Sequence, residues 1–349
     1  LEHRRVTMPG HLVPKLAGVE GVFAVYDDSN GPEPVGALPG GPNSVKSGQI
    51  HGATDAWERG YNGSGVRVAV ADSGIDFAHP DLNGTQAILE DPGSPYDGWG
   101  IMHDPISLVR WQRDGLAYPS AGNSWWVETT NIDADSNNDS ILDAQGWDIT
   151  GISSSVSGAY HFGLHSDSML IQRAGGDVII LVVDTKISGV YDTVYIDIDR
   201  DGEFGDESPV NQANPTYGRD TNQDGLWDQS AGLLWWISDG INGVPYGDIY
   251  AARNGYQNRI ANSGDLILLM LNDASEAGGN HGTLCASAVA AQGVVNNGAV
   301  LGMAPGAELI AVSNLYAGGS WLDSFRFISE GYDGNASTSH DQGQIGSFS

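Results

Sequence analysis

Two separated parts of the chain show the alternating helix and strand patterns typical of α/β proteins. In the first part, residues 54–60 carry a short helical pattern that ends at a glycine, which predicts a short helix. Residues 65–71 are almost continuously apolar, as expected for a strand buried on both faces of a parallel sheet. The pattern therefore predicts a helix followed by a buried parallel strand within residues 51–82.

The second α/β part covers residues 276–349. Residues 281–292 predict a helix rich in alanine, and residues 308–312 predict an apolar strand. A further helix begins within residues 324–329, and a further strand begins within residues 344–347. These elements are expected to join the same sheet as the strand of the first part.

The intervening residues 83–275 have a different pattern. Apolar runs at residues 160–165, 177–185 and 191–198 predict strands separated by polar, glycine-rich loops. Most of the tryptophans and many of the aspartates lie in this segment. The pattern indicates a β-rich segment, not a series of βαβ units.

The charge of the chain narrows the range of partners. It has 349 residues, 44 of them acidic and 15 basic, with a formal net charge of −29. This balance argues against nucleic-acid binding, because little is present to neutralise phosphates. Two explanations of the acidity stay open and are compatible: a carboxylate-rich surface that keeps the protein soluble, and cation sites that each use several aspartates.

Cysteine content and hydropathy exclude two further features. Cys285 is the single cysteine, so no disulfide can form within the chain. The longest apolar runs, at residues 178–183 and 266–271, are too short to span a bilayer.

Candidate catalytic chemistry lies where the α/β patterns meet polar residues. Asp72 directly follows the first apolar strand, and His281 opens the alanine-rich helix. A carboxylate at the carboxyl end of a strand and a histidine at a helix start suit a general base and the group that orients it. Taken singly, the aspartate is better explained as a turn former and the histidine as a neighbour of the helix N-cap.

Four short motifs occur together and in a characteristic order. They are Asp-Ser-Gly-Ile-Asp at 72–76, His-Pro-Asp-Leu at 79–82, Asn-His-Gly-Thr at 280–283, and Gly-Met-Ala-Pro-Gly-Ala at 302–307. Together they resemble the motifs of subtilisin-like serine peptidases, the subtilases. The resemblance implies an α/β fold with a mostly parallel sheet and helices on both faces, here carrying a β-rich insertion.

The same resemblance assigns catalytic roles. Asp72 would orient His281, and His281 would act as the general base for a serine and then as the general acid for the leaving amine. The family order is Asp, His, Ser, and the family's Gly-Thr-Ser tripeptide does not occur in these residues. We therefore expect a fragment that ends before the serine motif and is inactive alone. The full-length protein is expected to be a secreted or cell-surface serine endopeptidase that cleaves polypeptides.

The spacing of the two motifs points to a branch of the family. Asp72 and His281 lie 209 positions apart, whereas compact members have only a few tens of residues there. A long insertion at this point resembles the pyrolysin-like and tripeptidyl-peptidase-II-like branches. Residues 189–197 resemble the pyrolysin-like branch in particular.

The family also suggests how substrate and propeptide are bound. The glycine-rich segment after the strand at 308–312 would offer a backbone edge to an extended peptide, through Gly319, Ser320 and Trp321; the alternative is a plain loop. Residues 1–27 resemble the C-terminal tail of an inhibitory propeptide, and the alternative is an ordinary hairpin.

The expected domains follow from these assignments. After the propeptide tail comes a linker at 28–50, rich in Gly, Pro, Ser and Asn. The first catalytic part covers 51–90 and the β-rich, calcium-binding insertion 91–275. The second catalytic part covers 276–349.

Two acidic loops of the insertion predict calcium sites. Residues 220–228 match the front half of an EF-hand loop, with Gly225 after the third oxygen-bearing side chain but Ala231 where the last glutamate would stand. Residues 197–207 repeat the Asp-x-Asp-x-Asp-Gly core. The expected ligands are Asp197, Asp199, Asp201 and Asp206 in one loop, and Asp220, Asn222, Asp224 and Asp228 in the other. The alternative is solvated loops rich in Asx-turns.

Weaker signals accompany these loops. Residues 135–143 have similar spacing but Ser140 in place of the glycine, and Asp81 and Asn296 fall where many subtilisins hold a further calcium. Cys285, one helical turn after His281, is either a redox-sensitive neighbour of the base or a small buried residue.

Two other functions stay open at this stage. The first is a non-catalytic subtilase-like surface or binding module, which a missing serine motif in the full-length protein would favour. The second is a calcium-dependent adhesion protein whose active part is the insertion. Ligand binding that survives loss of Asp72 or His281 would favour it.

Overall fold

The computed structural model describes residues 48, 51–117, 125–270, 281–295, 300–313 and 321–348. The predicted propeptide tail and nearly all of the linker lie outside the described residues. The helices, in chain order, are α1 Ala53–Glu58, α2 Pro105–Asp114, α3 Ser168–Ala174, α4 Gly247–Asn254, α5 His281–Ala290 and α6 Trp321–Glu330.

Twelve strands are described. They are β1 Arg67–Ala71, β2 Met102–His103, β3 Trp126–Glu128, β4 Asn131–Asp133, β5 Tyr160–Leu164, β6 Ile179–Val183, β7 Thr193–Asp197, β8 Thr216–Arg219, β9 Gln229–Ile237, β10 Leu266–Met270, β11 Glu308–Val312 and β12 Ile345–Phe348. They form three four-stranded sheets in the orders β12-β1-β11-β2, β3-β10-β9-β8 and β4-β5-β6-β7.

The first sheet is parallel throughout. β1 pairs with both β11 and β12, and β11 pairs with β2. Four of the five residues of β1 are buried, which explains its nearly continuous apolar sequence. In the register of this sheet Ala71 lies beside Val312, and Val312 beside His103. The residues that follow these strands therefore lie at one common edge of the sheet, formed by the carboxyl ends of the strands. Asp72 is the first residue after β1 at this edge.

The other two sheets are antiparallel and lie entirely within the segment predicted to be β-rich. The α/β class is thus correct. Of the strands described, however, eight belong to antiparallel sheets, so "mostly parallel" fits only the sheet that carries Asp72. Antiparallel partners can be joined directly by a loop, as β6 is to β7 and β8 is to β9, without the crossover connection that parallel pairing requires.

The three sheets are joined by layers of apolar side chains. On β9 and β10, Trp235 and Leu268 belong to the same core as the parallel sheet, whereas Leu234 and Ile267 belong to a second core shared with β6 and β7. Successive strand residues point to opposite faces. The central antiparallel sheet is therefore buried on both sides, which explains why β10 reads Leu-Ile-Leu-Leu-Met.

The domain boundaries predicted from the sequence stay predictions. One observation bears on where the insertion begins: β2 pairs with β11 in the parallel sheet although it lies within residues 91–275. This pairing favours placing the start of the insertion after His103. Within the described part of the chain, no helix is long and apolar enough to cross a membrane.

One buried histidine of the parallel sheet makes stability depend on pH. His103 is 2% exposed, its ring stacks on Phe327 with centroids 4.7 Å apart, and its Nε2 has no hydrogen-bond partner among the described residues. Burial lowers the pKa of His103 to about 3, because the charged ring would lose its hydration.

We therefore expect acid to destabilise the protein through this side chain. Its folded pKa lies below the unfolded value, so the stabilisation is present above pH 6.5 and is lost as the pH falls towards 3, by about 4 kcal/mol at pH 3. His103→Phe should remove this part of the acid sensitivity. Denaturant unfolding of both proteins between pH 7 and pH 3 tests it, and parallel stability curves would contradict it.

Candidate active site

Asp72 is fixed by the parallel sheet. It follows the last residue of β1, its backbone N–H donates to the carbonyl of Val312 at 2.9 Å, and its side chain is fully buried. The backbone N–H of Ser73 donates to Asp72 Oδ1 at 2.7 Å. The strand and the turn after it therefore hold this carboxylate in one orientation.

His281 meets this carboxylate from the first residue of α5. Its Nδ1 lies 2.8 Å from both Oδ1 and Oδ2 of Asp72. The His281 side chain is 48% exposed, whereas that of Asp72 is 0% exposed. One edge of the imidazole thus contacts a buried carboxylate while the ring stays accessible from solvent, which is the geometry expected of a general base with its orienting group.

Glycine at position 282 allows α5 to approach the turn after β1. A Cβ built on Gly282 would lie 2.1 Å from the carbonyl oxygen of Gly74, so no larger residue fits without movement of the backbone. The backbone N–H of Gly282 donates to Ser73 Oγ at 3.0 Å, and that of Asp76 donates to Thr283 Oγ1 at 3.0 Å. The Asp and His motifs are therefore bound to each other by backbone as well as side-chain contacts.

We expect Gly282→Ala to separate the two motifs. The added methyl group meets backbone, not a flexible side chain, so the unfolding free energy should fall by about 1–3 kcal/mol. If the pair is catalytic, kcat/KM of the full-length protein should fall by roughly 10²-fold, because misplacement of about 1 Å has that effect. Leu284→Ala, at a position of α5 that is 67% exposed, is the control. An active, equally stable Gly282→Ala protein would show that the close approach is not needed.

The β-rich segment also contacts the Asp motif. Ser230 of β9 donates through Oγ to Asp76 Oδ1 at 2.5 Å. Burial raises the pKa of Asp76, and the hydrogen bond from Ser230 partly offsets this effect. The second aspartate of the motif is thus a partly buried structural link between the parallel sheet and the central antiparallel sheet.

Cys285 lies beside the pair. Its Sγ is 3.9 Å from His281 Nδ1, and its side chain is only partly buried against the core of the parallel sheet. Of the residues predicted to contact substrate, Gly319 and Ser320 lie outside the described residues. Trp321 is described as the first residue of α6 and is 47% exposed.

The acidic loop after β7 brings carboxylates together. Ligand atoms of Asp197, Asp199 and Glu207 lie within 4.8 Å of one another, as do those of Asp199, Asp201 and Asp206. Backbone N–H groups of Arg200 and Gly202 donate to the Asp197 carboxylate, as expected for the first position of a calcium loop.

Two carboxylate oxygens in this loop lack partners. Glu207 is 6% exposed, and neither its Oε2 nor Oδ1 of Asp199 has a hydrogen-bond partner among the described residues. Burial raises the pKa of Glu207 to about 9, and Asp206, Asp199 and Asp197 add to the effect. Glu207 was not among the expected ligands, although an acidic pair at 206–207 was visible in the sequence.

The second predicted loop is arranged differently. The Asp220 carboxylate accepts backbone N–H groups of Gln223, Asp224 and Gly225, and Asp228 accepts those of Thr221 and Asn222. These side chains are mostly exposed, and the aspartates do not form a cluster of three within ligand distance in the part of the chain described. Their hydrogen bonds are those of a loop that caps its own backbone.

The weaker predicted sites show the same self-capping. Asp135 accepts the N–H groups of Asp139 and Ser140. Asp81 is buried and accepts the N–H groups of Val294 and Val295 through Oδ1, which fixes the segment after α5. Asn296 lies outside the described residues.

Comparison with known proteins identifies the family of this chain. The model of the subtilase family matches residues 63–325, a range that includes both Asp72 and His281. Pyrolysin of Pyrococcus furiosus is 31% identical over 169 residues, which are 46% of this chain and 12% of pyrolysin. No solved structure shows a significant match.

Shorter matches cover the motifs of other relatives. The minor extracellular protease Vpr of Bacillus subtilis is 34% identical over 83 residues, or 22% of this chain and 10% of that protein. Subtilisin E of Bacillus subtilis is 35% identical over 92 residues, or 26% of this chain and 23% of that protein. The matched region thus spans less than a quarter of each of these relatives. Because the family model covers most of the chain and confirms the resemblance of its motifs, the chain belongs to the subtilase family.

Proposed function

We propose that this chain carries the Asp and His of a serine endopeptidase, with Asp72 as the orienting carboxylate and His281 as the general base. The observation that supports this most strongly is the 2.8 Å contact between two residues 209 positions apart. Each of the two residues lies within a family motif. A β-rich segment with two antiparallel sheets separates the motifs in the sequence. A chance ion pair would not explain why Gly282 and the turn after Asp72 are shaped for close approach.

The proposed chemistry assigns one task to each group. The buried Asp72 carboxylate keeps the proton of neutral His281 on Nδ1, which leaves Nε2 to accept a proton from a serine hydroxyl. When His281 becomes an imidazolium, the same carboxylate stabilises its charge. His281 then returns the proton to the leaving amine, and a water molecule repeats the cycle on the acyl-enzyme. The nucleophilic serine belongs, in this proposal, to sequence outside these 349 residues.

The remaining assignments extend the same proposal. In this proposal extended polypeptides are the substrates, and Gly319, Ser320 and Trp321 provide the backbone edge that binds them. Residues 1–27 are the tail of an inhibitory propeptide. The match to pyrolysin covers 169 residues and that to subtilisin E covers 92, which supports the insertion-bearing branch. A relative named as an extracellular protease supports a secreted or cell-surface location.

Calcium is the cation that fits the loop after β7. Asp197, Asp199 and Glu207 supply hard oxygen ligands, which calcium prefers, and the two oxygens without partners are groups that a cation would satisfy. Its part would be structural: it would neutralise carboxylates that otherwise repel one another. We extend the proposal to Asp220, Asn222, Asp224 and Asp228, whose exposed loop would rearrange around a bound ion.

The direct test of the peptidase proposal is hydrolysis by the full-length protein. Cleavage of a denatured protein such as casein, abolished by a serine-directed sulfonyl fluoride, is the expected result. Cleavage that resists this reagent would reject the serine mechanism. Absence of cleavage with retained binding of surface ligands would favour the non-catalytic module.

A further inference from the structure

We propose a further metal site, of transition-metal type, formed by Asp91, Asp333, His340 and Asp341. It is distinct from both the calcium loops and the catalytic pair. The cluster lies between the loop that follows residue 88 and the segment that connects α6 to β12. Sequence reasoning missed it, because residue 91 and residues 333–341 are far apart in the chain.

The side chains are close enough to share one ion. Ligand atoms of Asp333, His340 and Asp341 all lie within 4.8 Å of one another. Nε2 of His340 is 3.6 Å from Oδ2 of Asp91 and 4.0 Å from Oδ2 of Asp341. Ligand atoms around a tetrahedral ion with bonds of about 2.0–2.2 Å lie about 3.3–3.6 Å apart. The 3.6 Å separation fits this geometry, and the longer separations would close by about an ångström on binding.

Asp341 gives an independent reason to expect a cation. It is 1% exposed, and its Oδ1 has no hydrogen-bond partner among the described residues. The carboxylate accepts the backbone N–H of Asp333, at 3.2 Å to Oδ2, and that of Tyr332. A buried carboxylate with an unsatisfied oxygen is costly unless a positive charge compensates it.

Arg67, which contacts the backbone of the cluster, does not compensate it. The Nε of Arg67 pairs with Glu308 at 3.1 Å, and its Nη1 donates to the backbone carbonyl of His340 instead of to the Asp341 side chain. Asp341 is found in an ion pair only with His340 among the described residues. The cluster is therefore short of positive charge at the place where its most buried oxygen points.

The backbone is shaped around the Asp341 carboxylate. A Cβ on Gly331, whose φ is +69°, would lie 2.1–2.4 Å from the carboxylate atoms of Asp341. Glycine at this position therefore serves both the turn after α6 and the close approach of the carboxylate. The cluster lies on the wall of an open cavity of about 390 Å³, which gives an ion a route from solvent and leaves room for water ligands.

The ligand types select the metal class. Calcium takes oxygen ligands, whereas an imidazole nitrogen combined with carboxylates is typical of zinc and its transition-metal neighbours. We assign Zn²⁺ as the cation, with Co²⁺ as its spectroscopic substitute. A bound ion would join residue 91 to the segment just before β12 and so stabilise the strand that pairs with β1.

The test is metal binding by the full-length protein, stripped of metal and then supplied with excess calcium to fill the oxygen-ligand sites. A His281→Ala background removes the other imidazole-containing group found among the described residues, Asp72–His281–Cys285. Co²⁺ binding is followed by visible absorption and by equilibrium dialysis. The His281→Ala protein should bind one more equivalent of Co²⁺ tightly than the protein that also carries His340→Ala. Zn²⁺ should displace it.

Two controls keep the result interpretable. His340 is one-third exposed, so His340→Ala should fold, and its calcium-loaded melting curve verifies this. Asp248→Asn removes a charge from the same cavity wall without touching the cluster and should bind like the parent. Zn²⁺ should raise the melting midpoint of the parent and of Asp248→Asn, but not of His340→Ala. Equal Co²⁺ stoichiometry with and without His340 would overturn the proposal, whether or not the protein proves to be a peptidase.

Discussion

Asp72→Asn in the full-length protein is expected to lower kcat by about 10⁴-fold while leaving the fold intact. The amide has the shape of the carboxylate and can still contact His281. However, it presents an N–H group to Nδ1, which favours the tautomer that carries the proton on Nε2, and it cannot stabilise the imidazolium. The measurement is steady-state hydrolysis of a chromogenic peptide, with a melting curve for each protein.

Asp55→Asn is the matched control, because Asp55 is an exposed residue of α1. Its kcat should equal that of the parent. An Asp72→Asn protein that retains kcat within a few-fold would show that the 2.8 Å contact is structural and that the peptidase, if present, uses another base.

Removal of calcium is expected to have the largest effect on stability. Calcium that binds only the native state raises the unfolding free energy by about 3–4 kcal/mol at 100 to 1,000 times its Kd. Chelation should therefore lower the melting midpoint by several degrees at constant ionic strength. The expected cause lies in the loop after β7, where oxygens of Glu207 and Asp199 lack a hydrogen-bond partner among the described residues and could bind a cation.

Glu207→Gln should remove part of the calcium response. Because the pKa of Glu207 is raised to about 9, its carboxyl group is uncharged at neutral pH without calcium, so the calcium-free variant should be about as stable as the calcium-free parent. The amide cannot become a charged ligand, so the variant should gain little from added calcium. Asp228→Asn, in the exposed loop, should change the calcium response less. Identical melting curves for the parent with and without chelator would favour solvated acidic loops and reject the cation.

Local patterns were sufficient to predict the elements that carry the proposed catalytic pair. The apolar run before Asp72 predicted β1, and the helix from His281 and the strand Glu308–Val312 were predicted within two residues at each end. Periodicity and glycine stops depend only on neighbours in sequence, and so they predict such elements well. The contact between Asp72 and His281 followed from the family resemblance, not from the pattern.

Other elements had signals that the pattern analysis did not use. α2 begins with Asp104, whose side chain accepts the N–H groups of Ile106 and Ser107, and with Pro105 at its first position. Both are sequence-level start signals of a helix. The sequence analysis made no helix prediction for this segment, although both signals are present.

The remaining features depend on contacts between distant segments. Glu207 and Asp341 are buried by tertiary contacts, and each has an oxygen without a hydrogen-bond partner among the described residues; burial of a charged residue is contrary to its usual preference. The approach of Asp91 to His340 depends on the path of the chain around the parallel sheet. No periodicity or spacing records such contacts, so these residues were identified only from the structure.

The central claim, that Asp72 and His281 activate a serine, is tested most directly by labelling with a fluorophosphonate, which reacts with activated serine hydroxyls. The full-length parent, Asp72→Asn and His281→Ala are treated in parallel, and the labelled residue is located by mass spectrometry. We predict stoichiometric labelling of one serine in the parent and rates reduced by at least about 10³-fold in both variants. Labelling of His281→Ala at the rate of the parent would contradict the account.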